Sequence, residues 1–246
     1  MNRKKRNSIV VVHEGYREGY FVEYISQFSP LRVNLQPCYG ESATHVLNMA
    51  FKRSDLGLRV VAFFDEDFEG IEQRKIESET FKILSARWGT ENEILSSTSY
   101  KELQGLNSKN KNPVLAVSNP QSIEGLILTI LDVPESELEG KSTNVLKGKL
   151  DVLLNKVVLK QEDAELIALY DEKIAKHNAE IQKLLEEEPK NNTLLKYHNG
   201  KKQEFGRKKN EVIFKRFLAN NISLEILQNK RVTIKSLDIL LSELGI

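Results

Sequence analysis

The 246-residue chain is notable first for what it lacks. Cys38 is its only cysteine, which excludes a disulfide framework and a cysteine-based zinc site. No segment approaches the roughly 20 apolar residues needed to span a bilayer, and the polar start does not lead into a signal peptide. The 36 basic and 35 acidic residues leave a net charge of +1, so no overall field directs the chain to nucleic acid or membrane. We therefore expect a soluble, cytoplasmic protein without a membrane partner.

Motifs of two large enzyme classes are also missing. The sequence has neither a glycine-rich phosphate loop of the P-loop kind nor a nucleophile elbow. Its histidines offer no base for such chemistry. His13 ends an apolar run and is expected to be a packed or edge residue, while His45, His177 and His198 fall in helical or polar contexts.

Apolar segments in the first half alternate between two periodicities. Short buried-strand patterns occur at 8–13, 31–35, 58–64 and 113–117, and helical spacing occurs at 20–28, 42–51, 71–86 and 123–131. Buried strands that alternate with helices are typical of parallel sheets. The pattern predicts an α/β fold with a mostly parallel sheet flanked by helices.

The second half is charged and helical. From about residue 141 strand signals disappear, and narrow apolar stripes over 161–188 and 193–219 flank a turn at Pro189. We predict an α/β domain over 1–140 and a helical region over 141–246, with an antiparallel hairpin at about 161–219. The basic clusters of the hairpin are either solvated surface or contacts to a phosphate backbone.

Carboxylates follow two of the predicted strands. Glu14 comes directly after the first strand, and Asp65 and Asp67 follow the 58–64 strand. In a parallel sheet these ends meet at one edge, where ligands bind. Gathered carboxylates repel one another unless a cation neutralises them, and an all-oxygen set favours Mg²⁺ or Mn²⁺. The sequence therefore predicts a metal site.

A third strand end adds polar candidates. Ser118 and Asn119 precede an apolar helix and either cap it or help bind a substrate phosphate. Glu124 lies inside that helix start, where an unpaired buried carboxylate is costly. It either points outward or faces the acidic cluster.

The ordered motifs resemble the RloB-like branch of the Toprim superfamily over residues 8–131. The resemblance rests on Glu14-Gly15-x-x-Glu18-x-Tyr20-Phe21, Asp65-x-Asp67, and Ser118-Asn119-Pro120-x-x-x-Glu124. The chain departs from the family pattern in two places. Arg17 replaces a threonine, and residues 121–123 replace the usual start of the last motif.

The resemblance implies a Toprim-like fold with a magnesium site that acts on phosphodiesters. Glu14 and Glu18 would be the catalytic residues, with Glu14 the general acid/base, and Asp65 and Asp67 would hold the metal. The implied activity is a nuclease in bacterial anti-phage defence, with RNA, including transfer RNA, or DNA as substrate. The expected partners are nucleic acid, a defence protein at the hairpin, and further copies of the chain in a homo-oligomer.

Two alternatives to the nuclease stay open. The same acids could serve a nucleotidyl or phosphoryl transferase. Alternatively, the chain could be a catalytically silent Toprim-like module of a defence complex, an interpretation that the departures at Arg17 and at residues 121–123 leave open.

Overall fold

A computed structural model of the protein describes residues 8–38, 43–65, 114–119, 122–186 and 191–246. Its strands are β1 (Ser8–His13), β2 (Arg32–Pro37), β3 (Val60–Asp65) and β4 (Val114–Asn119). Helix α1 (Tyr16–Ser26) connects β1 to β2, and α2 (Ala43–Asp55) connects β2 to β3. The helix predicted at 71–86 lies outside the described residues.

The four strands form one parallel sheet in the order β2-β1-β3-β4. The chain moves from β1 to the outer strand β2 and then returns past β1 to β3. Since right-handed crossovers in opposite directions place their helices on opposite faces, α1 and α2 cover the two faces of the sheet. The predicted α/β class and parallel sheet are confirmed. The strand order also reverses between β1 and β3, which makes their carboxyl ends the switch point of the sheet.

Burial explains why the strand sequences are continuously apolar. Side chains of β1 and β3 point alternately to both faces, and both faces are covered, so polar alternation is absent. Val11, Val12 and Val61 are fully buried, as is Phe63 near the end of β3.

After β4 the chain continues through α3 (Ile123–Ile130), a 3₁₀ turn at Glu135–Glu137 and α4 (Thr143–Leu154). The last two helices in the described part of the chain are α7 (Leu224–Lys230) and α8 (Lys235–Leu244), which follow the α5–α6 hairpin given below. These last two helices belong to the same compact unit as the sheet, which comprises Met1–Val152 and Asn221–Ile246. The chain thus returns to the sheet unit after residue 220.

The apolar face of α8 accounts for this return. Leu237, Leu240, Leu241 and Leu244 recur at helical spacing and are fully buried. Polar contacts tie the same segment to the first half of the unit, since Ser29 Oγ donates a hydrogen bond to the Leu244 carbonyl. Ile234 is the N-cap of α8, and Thr233 Oγ1 donates a hydrogen bond to the Lys230 carbonyl.

The second unit, Leu153–Asn220, contains a helical hairpin. Its helices are α5 (Gln161–Glu186) and α6 (Asn192–Asn221), close to the two predicted segments. Ion pairs link the two helices, from Arg216 to Asp163 and from Lys209 to Asp171. Within the described parts of the chain, no helix combines the length and apolarity needed to cross a membrane.

Candidate functional site

The carboxylates at the switch point lie close together. Glu14 follows β1 directly, and Asp65 is the last residue of β3. The backbone N–H of Asp65 donates a hydrogen bond of 3.3 Å to Glu14 Oε2. Since β1 and β3 pair in parallel, the two strands deliver both residues to the same edge. Asp67 lies outside the described residues.

Asn119 joins this edge from the neighbouring strand. It pairs in register with Asp65, and its Nδ2 donates a hydrogen bond of 2.9 Å to Asp65 Oδ1. The Asn119 side chain is fully buried, and within the described residues its Oδ1 has no hydrogen-bond partner. Ser118 precedes it in β4 opposite Phe64, and Asn119 closes the strand instead of the predicted loop.

Glu18 reaches the same cluster from the first turn of α1. It is only 5% exposed, and it lies close enough to Asp65 for its charge to act on that carboxyl group. Gly15 makes room for it, because a Cβ added to Gly15 would lie 2.5 Å from Glu18 Oε2. The Glu-Gly-x-x-Glu spacing thus brings Glu14 and Glu18 to one place through a glycine without a side chain.

This crowding raises the pKa of both central acids. Burial raises the pKa of Glu18, and the nearby Glu124 adds to the rise. Burial raises the pKa of Asp65 well above its usual range, and the charge of Glu18 contributes next, with smaller contributions from Glu124 and Glu14. The Asn119 hydrogen bond acts in the opposite direction on Asp65. Carboxyl groups with raised pKa values in a cluster are typical of functional sites.

His13 stands apart from this chemistry. It is 3% exposed, its Nδ1 lies 2.8 Å from the Gly15 carbonyl oxygen, and its ring packs where a side chain at Gly19 would be. Burial lowers its pKa, so the ring is neutral. His13 is a packed residue, as expected.

Glu124 faces inward, which resolves the two alternatives left by the sequence. Ser122 caps α3 through a hydrogen bond that Gly125 N donates to its Oγ, and Glu124 lies in the first turn, 6% exposed. Arg17 NH1 donates a 2.8 Å hydrogen bond to Glu124 Oε1, and Arg17 NH2 donates to Asp151 of α4. The departure from the family pattern at residue 17 is thus the cation that pairs with Glu124.

This ion-pair network has no signal in the sequence. Arg17 lies 107 positions from Glu124 and 134 from Asp151, so only the fold brings them together. A lone arginine before Glu18 predicts no particular partner. Asp151 sits in a helix rich in charged and apolar residues, where nothing distinguishes it from a solvent-facing acid.

The donor atoms of this edge suit an oxygen-preferring cation. Glu14 and Asp65 offer carboxylate oxygens, and Asn119 offers the buried amide oxygen without a partner. In the described residues no group of three or more Asp, Glu, His or Cys side chains is arranged to hold a metal ion. The donors therefore fit Mg²⁺ or Mn²⁺ as a partial set, and Asp67 is the expected further ligand.

Comparisons with known proteins add no relative. No family model, curated protein or solved structure matches the chain.

Proposed function

We propose that the protein is a cytoplasmic, divalent-metal-dependent nuclease of the Toprim type that hydrolyses phosphodiester bonds in RNA or DNA. The observation that carries the proposal is the meeting of Glu14, Glu18, Asp65 and Asn119 at the switch point of a parallel sheet. A fold of this class binds its ligands at that point. A cluster of acids at this position destabilises the fold, and the binding of a catalytic metal would account for its presence.

The metal would be held by Asp65 and Glu14, with Asp67 and the Asn119 oxygen as further donors. When bound, it activates water and stabilises the charge on the phosphate oxygens during an in-line displacement. It would also favour the ionised form of Asp65, whose pKa is raised in the metal-free protein.

The two glutamates suit complementary proton transfers. Glu14 is partly exposed at the edge and would accept the proton of the attacking water as its oxygen bonds to phosphorus. Glu18 is buried with a raised pKa, so its protonated form would donate a proton to the leaving oxygen as the phosphorus–oxygen bond breaks. Solvent would then restore both protonation states.

A role in bacterial anti-phage defence is supported by the resemblance of residues 8–131 to the RloB-like branch. The same resemblance supports a Toprim assignment for the sheet unit, and the hairpin unit would contact the nucleic acid or a partner protein. The proposal also includes a homo-oligomer, which a measurement of the molecular mass in solution would test.

The proposal is tested by incubating the purified full chain with Mg²⁺ or Mn²⁺ and pools of transfer RNA, other RNA, plasmid DNA and nucleoside triphosphates. We expect metal-dependent cleavage of a polymer that EDTA abolishes and that Glu14→Gln lowers by about 100-fold or more. Arg59→Ala is the matched control, because Arg59 lies at the opposite edge of the sheet and pairs with Glu243.

Two other results would replace the nuclease proposal. Conversion of nucleoside triphosphates without polymer cleavage would indicate a transferase that uses the same acids. Tight binding of nucleic acid without any turnover, unchanged by Glu14→Gln, would indicate a silent binding module.

A further inference from the structure

Arg17 is the cation that the described structure places beside the carboxylate cluster. It lies in the first turn of α1, next to Glu18, and its NH1 is bound by Glu124, whose charge acts on both Glu18 and Asp65. A phosphodiester that approaches four carboxylates meets strong repulsion. A guanidinium at this position offsets that repulsion and can bind phosphate oxygens in a bidentate manner.

Glu124 and Asp151, which both accept hydrogen bonds from Arg17, differ in burial. The Glu124 side chain is 8% exposed, whereas that of Asp151 is 45% exposed. A buried charge left without its partner is strongly disfavoured, so Glu124 keeps its hold on NH1. An ion pair at an exposed position contributes little and is screened by salt, so Asp151 is the partner that another anion can displace from NH2.

We propose that Arg17 is an anchoring residue for a substrate phosphate, oriented by Glu124 and occupied by Asp151 until a nucleic-acid phosphate takes the place of the aspartate. The inference rests on the proposed function, because it assumes a substrate that carries phosphates. It assigns a role to the residue at which this chain departs from the RloB-like pattern. Glu124 is then a positioning residue that acts through Arg17.

The test measures binding separately from cleavage. A short fluorescein-labelled single-stranded RNA of mixed sequence is titrated with the full chain by fluorescence anisotropy, with Ca²⁺ in place of Mg²⁺, over a series of salt concentrations. We expect Arg17→Ala to weaken binding about tenfold or more. We expect the slope of log Kd against log salt to fall by about one, the signature of one lost phosphate contact.

Asp151→Asn distinguishes an Arg17 that binds a substrate phosphate from an Arg17 that only holds the fold together. Removing the competing carboxylate is expected to tighten RNA binding about threefold. A bridge needed only for folding predicts weaker binding in both variants. Arg59→Ala and Glu243→Gln remove the cation and the anion of an ion pair at the far edge, and both are expected to keep the wild-type affinity and salt slope.

Two further variants guard against misfolding. Arg17→Lys keeps the charge, so it should keep the salt slope while losing the bidentate contact and part of the affinity. Arg17→Gln combined with Glu124→Gln removes both the anchor and the unpaired acid, and binding should stay weak. Recovery of wild-type binding in that double variant would overturn the inference, as would unchanged binding in Arg17→Ala or weaker binding in Asp151→Asn.

The inference and the proposed function fail separately. Binding that depends on Arg17 without cleavage by the wild type would overturn the nuclease and keep the anchor. Cleavage in Mg²⁺ with an unchanged KM in Arg17→Ala would keep the nuclease and overturn the anchor. If the wild type binds no RNA in the anisotropy assay and cleaves only DNA, the same titration is carried out with a labelled single-stranded DNA. The outcomes named above then support or overturn the role of Arg17 in the same way.

Discussion

Asp65 and Asn119 end two neighbouring strands in register, and Asn119 Nδ2 donates a 2.9 Å hydrogen bond to Asp65 Oδ1. Glu18, from the first turn of α1, adds a second buried acid, and its charge raises the pKa of Asp65. Burial raises the pKa of both carboxyl groups, which favours their protonated forms. In the metal-free protein, protonation therefore relieves the repulsion that we propose the cation relieves when it is bound.

Neutralising Asp65 should stabilise the metal-free protein. Asp65→Asn removes a charge from the cluster, and an asparagine can still accept the hydrogen bond from Asn119. We expect the free energy of unfolding in EDTA to rise by about 1–2 kcal/mol. Urea denaturation monitored by circular dichroism measures it. The matched control is Asp132→Asn, which changes an exposed acid at positive φ and should alter stability little. A loss of stability in Asp65→Asn similar to that of a core substitution would contradict the account.

The metal-free protein should lose stability as the pH rises above the ordinary pKa values of its clustered carboxyl groups. The pKa values of Glu18 and Asp65 are raised above their ordinary values of 4.5 and 3.8, so the folded state binds protons more tightly than the unfolded state. This contribution is fully present below those ordinary values and is lost as the pH rises through the raised folded-state pKa values. Melting temperatures in EDTA across this window measure the effect.

The comparison variant for this pH series is Asp65→Asn, which should show a shallower decline. Mg²⁺ should also flatten the decline in the wild type, because the cation favours the ionised carboxylates. A wild-type protein that instead gains stability over the same window would mean that the carboxyl groups are not clustered as described.

Two glycines before and within α1 should respond differently to alanine. At Gly19 the added Cβ would lie 2.5 Å from Cε1 of the buried His13 ring, so the ring or the helix would have to shift. We expect Gly19→Ala to destabilise the protein by about 1–3 kcal/mol. At Gly15 the added Cβ meets Glu18 Oε2, the end of a side chain that can swing away. Gly15→Ala should therefore reduce activity far more than it reduces stability.

Gly148 provides the control for both. It lies in α4, and no heavy atom is within 4 Å of a Cβ built there. Gly148→Ala should stabilise the protein by about 0.5–1 kcal/mol through helix propensity alone. Thermal melts of the three variants measure their stability, and their cleavage rates measure their activity. A Gly15→Ala variant with wild-type activity would show that the position of the Glu18 carboxyl is unimportant.

The hairpin unit should weaken on mild acidification. His177 Nδ1 and His198 Nδ1 lie 2.9 Å apart, a contact that requires one ring to be an unprotonated acceptor. Burial, followed by the charge of His198, lowers the pKa of His177 below its ordinary 6.5. The contribution is present above 6.5 and is lost as the pH falls through the lower folded-state value.

Hydrogen exchange of α5 and α6 as a function of pH, compared between the wild type and His198→Gln, measures this. After correction for the intrinsic pH dependence of amide exchange, we expect the protection factors to fall at lower pH in the wild type and to depend less on pH in the variant. Equal pH dependence in both proteins would show that the histidine contact contributes nothing to the hairpin.

The sequence predicted most of the features that depend on hydrophobic periodicity or on the position of a strand end. Continuous apolar runs located β1 and β3, and their parallel pairing follows from strand–helix alternation, so Glu14 and Asp65 were expected at one edge. Asn119 was placed just beyond its strand, whereas it pairs in register inside β4 and contacts Asp65. Strand ends are poorly marked where polar residues continue the ladder.

Contacts between segments that are distant in the sequence could not be predicted from local periodicity. The Arg17–Asp151 pair depends on how α1 and α4 meet, and the return of α8 to the sheet depends on which surface covers its leucines. Neither relation has a local signal, because an arginine or an amphipathic helix does not specify its partner. Asp67, the second acid of the strand-end motif, lies outside the described residues, and its expected metal contact remains a prediction.

The central claim, that this carboxylate edge is a metal-dependent catalytic centre, is tested most directly by single-turnover cleavage of the substrate found in the pool assay. The wild type, Asp65→Asn and the control Asp132→Asn are compared in Mg²⁺ and in EDTA. We predict a rate that needs Mg²⁺, falls by about 100-fold or more in Asp65→Asn and is unchanged in Asp132→Asn. Equal rates in the wild type and Asp65→Asn, or cleavage that persists in EDTA, would contradict the claim.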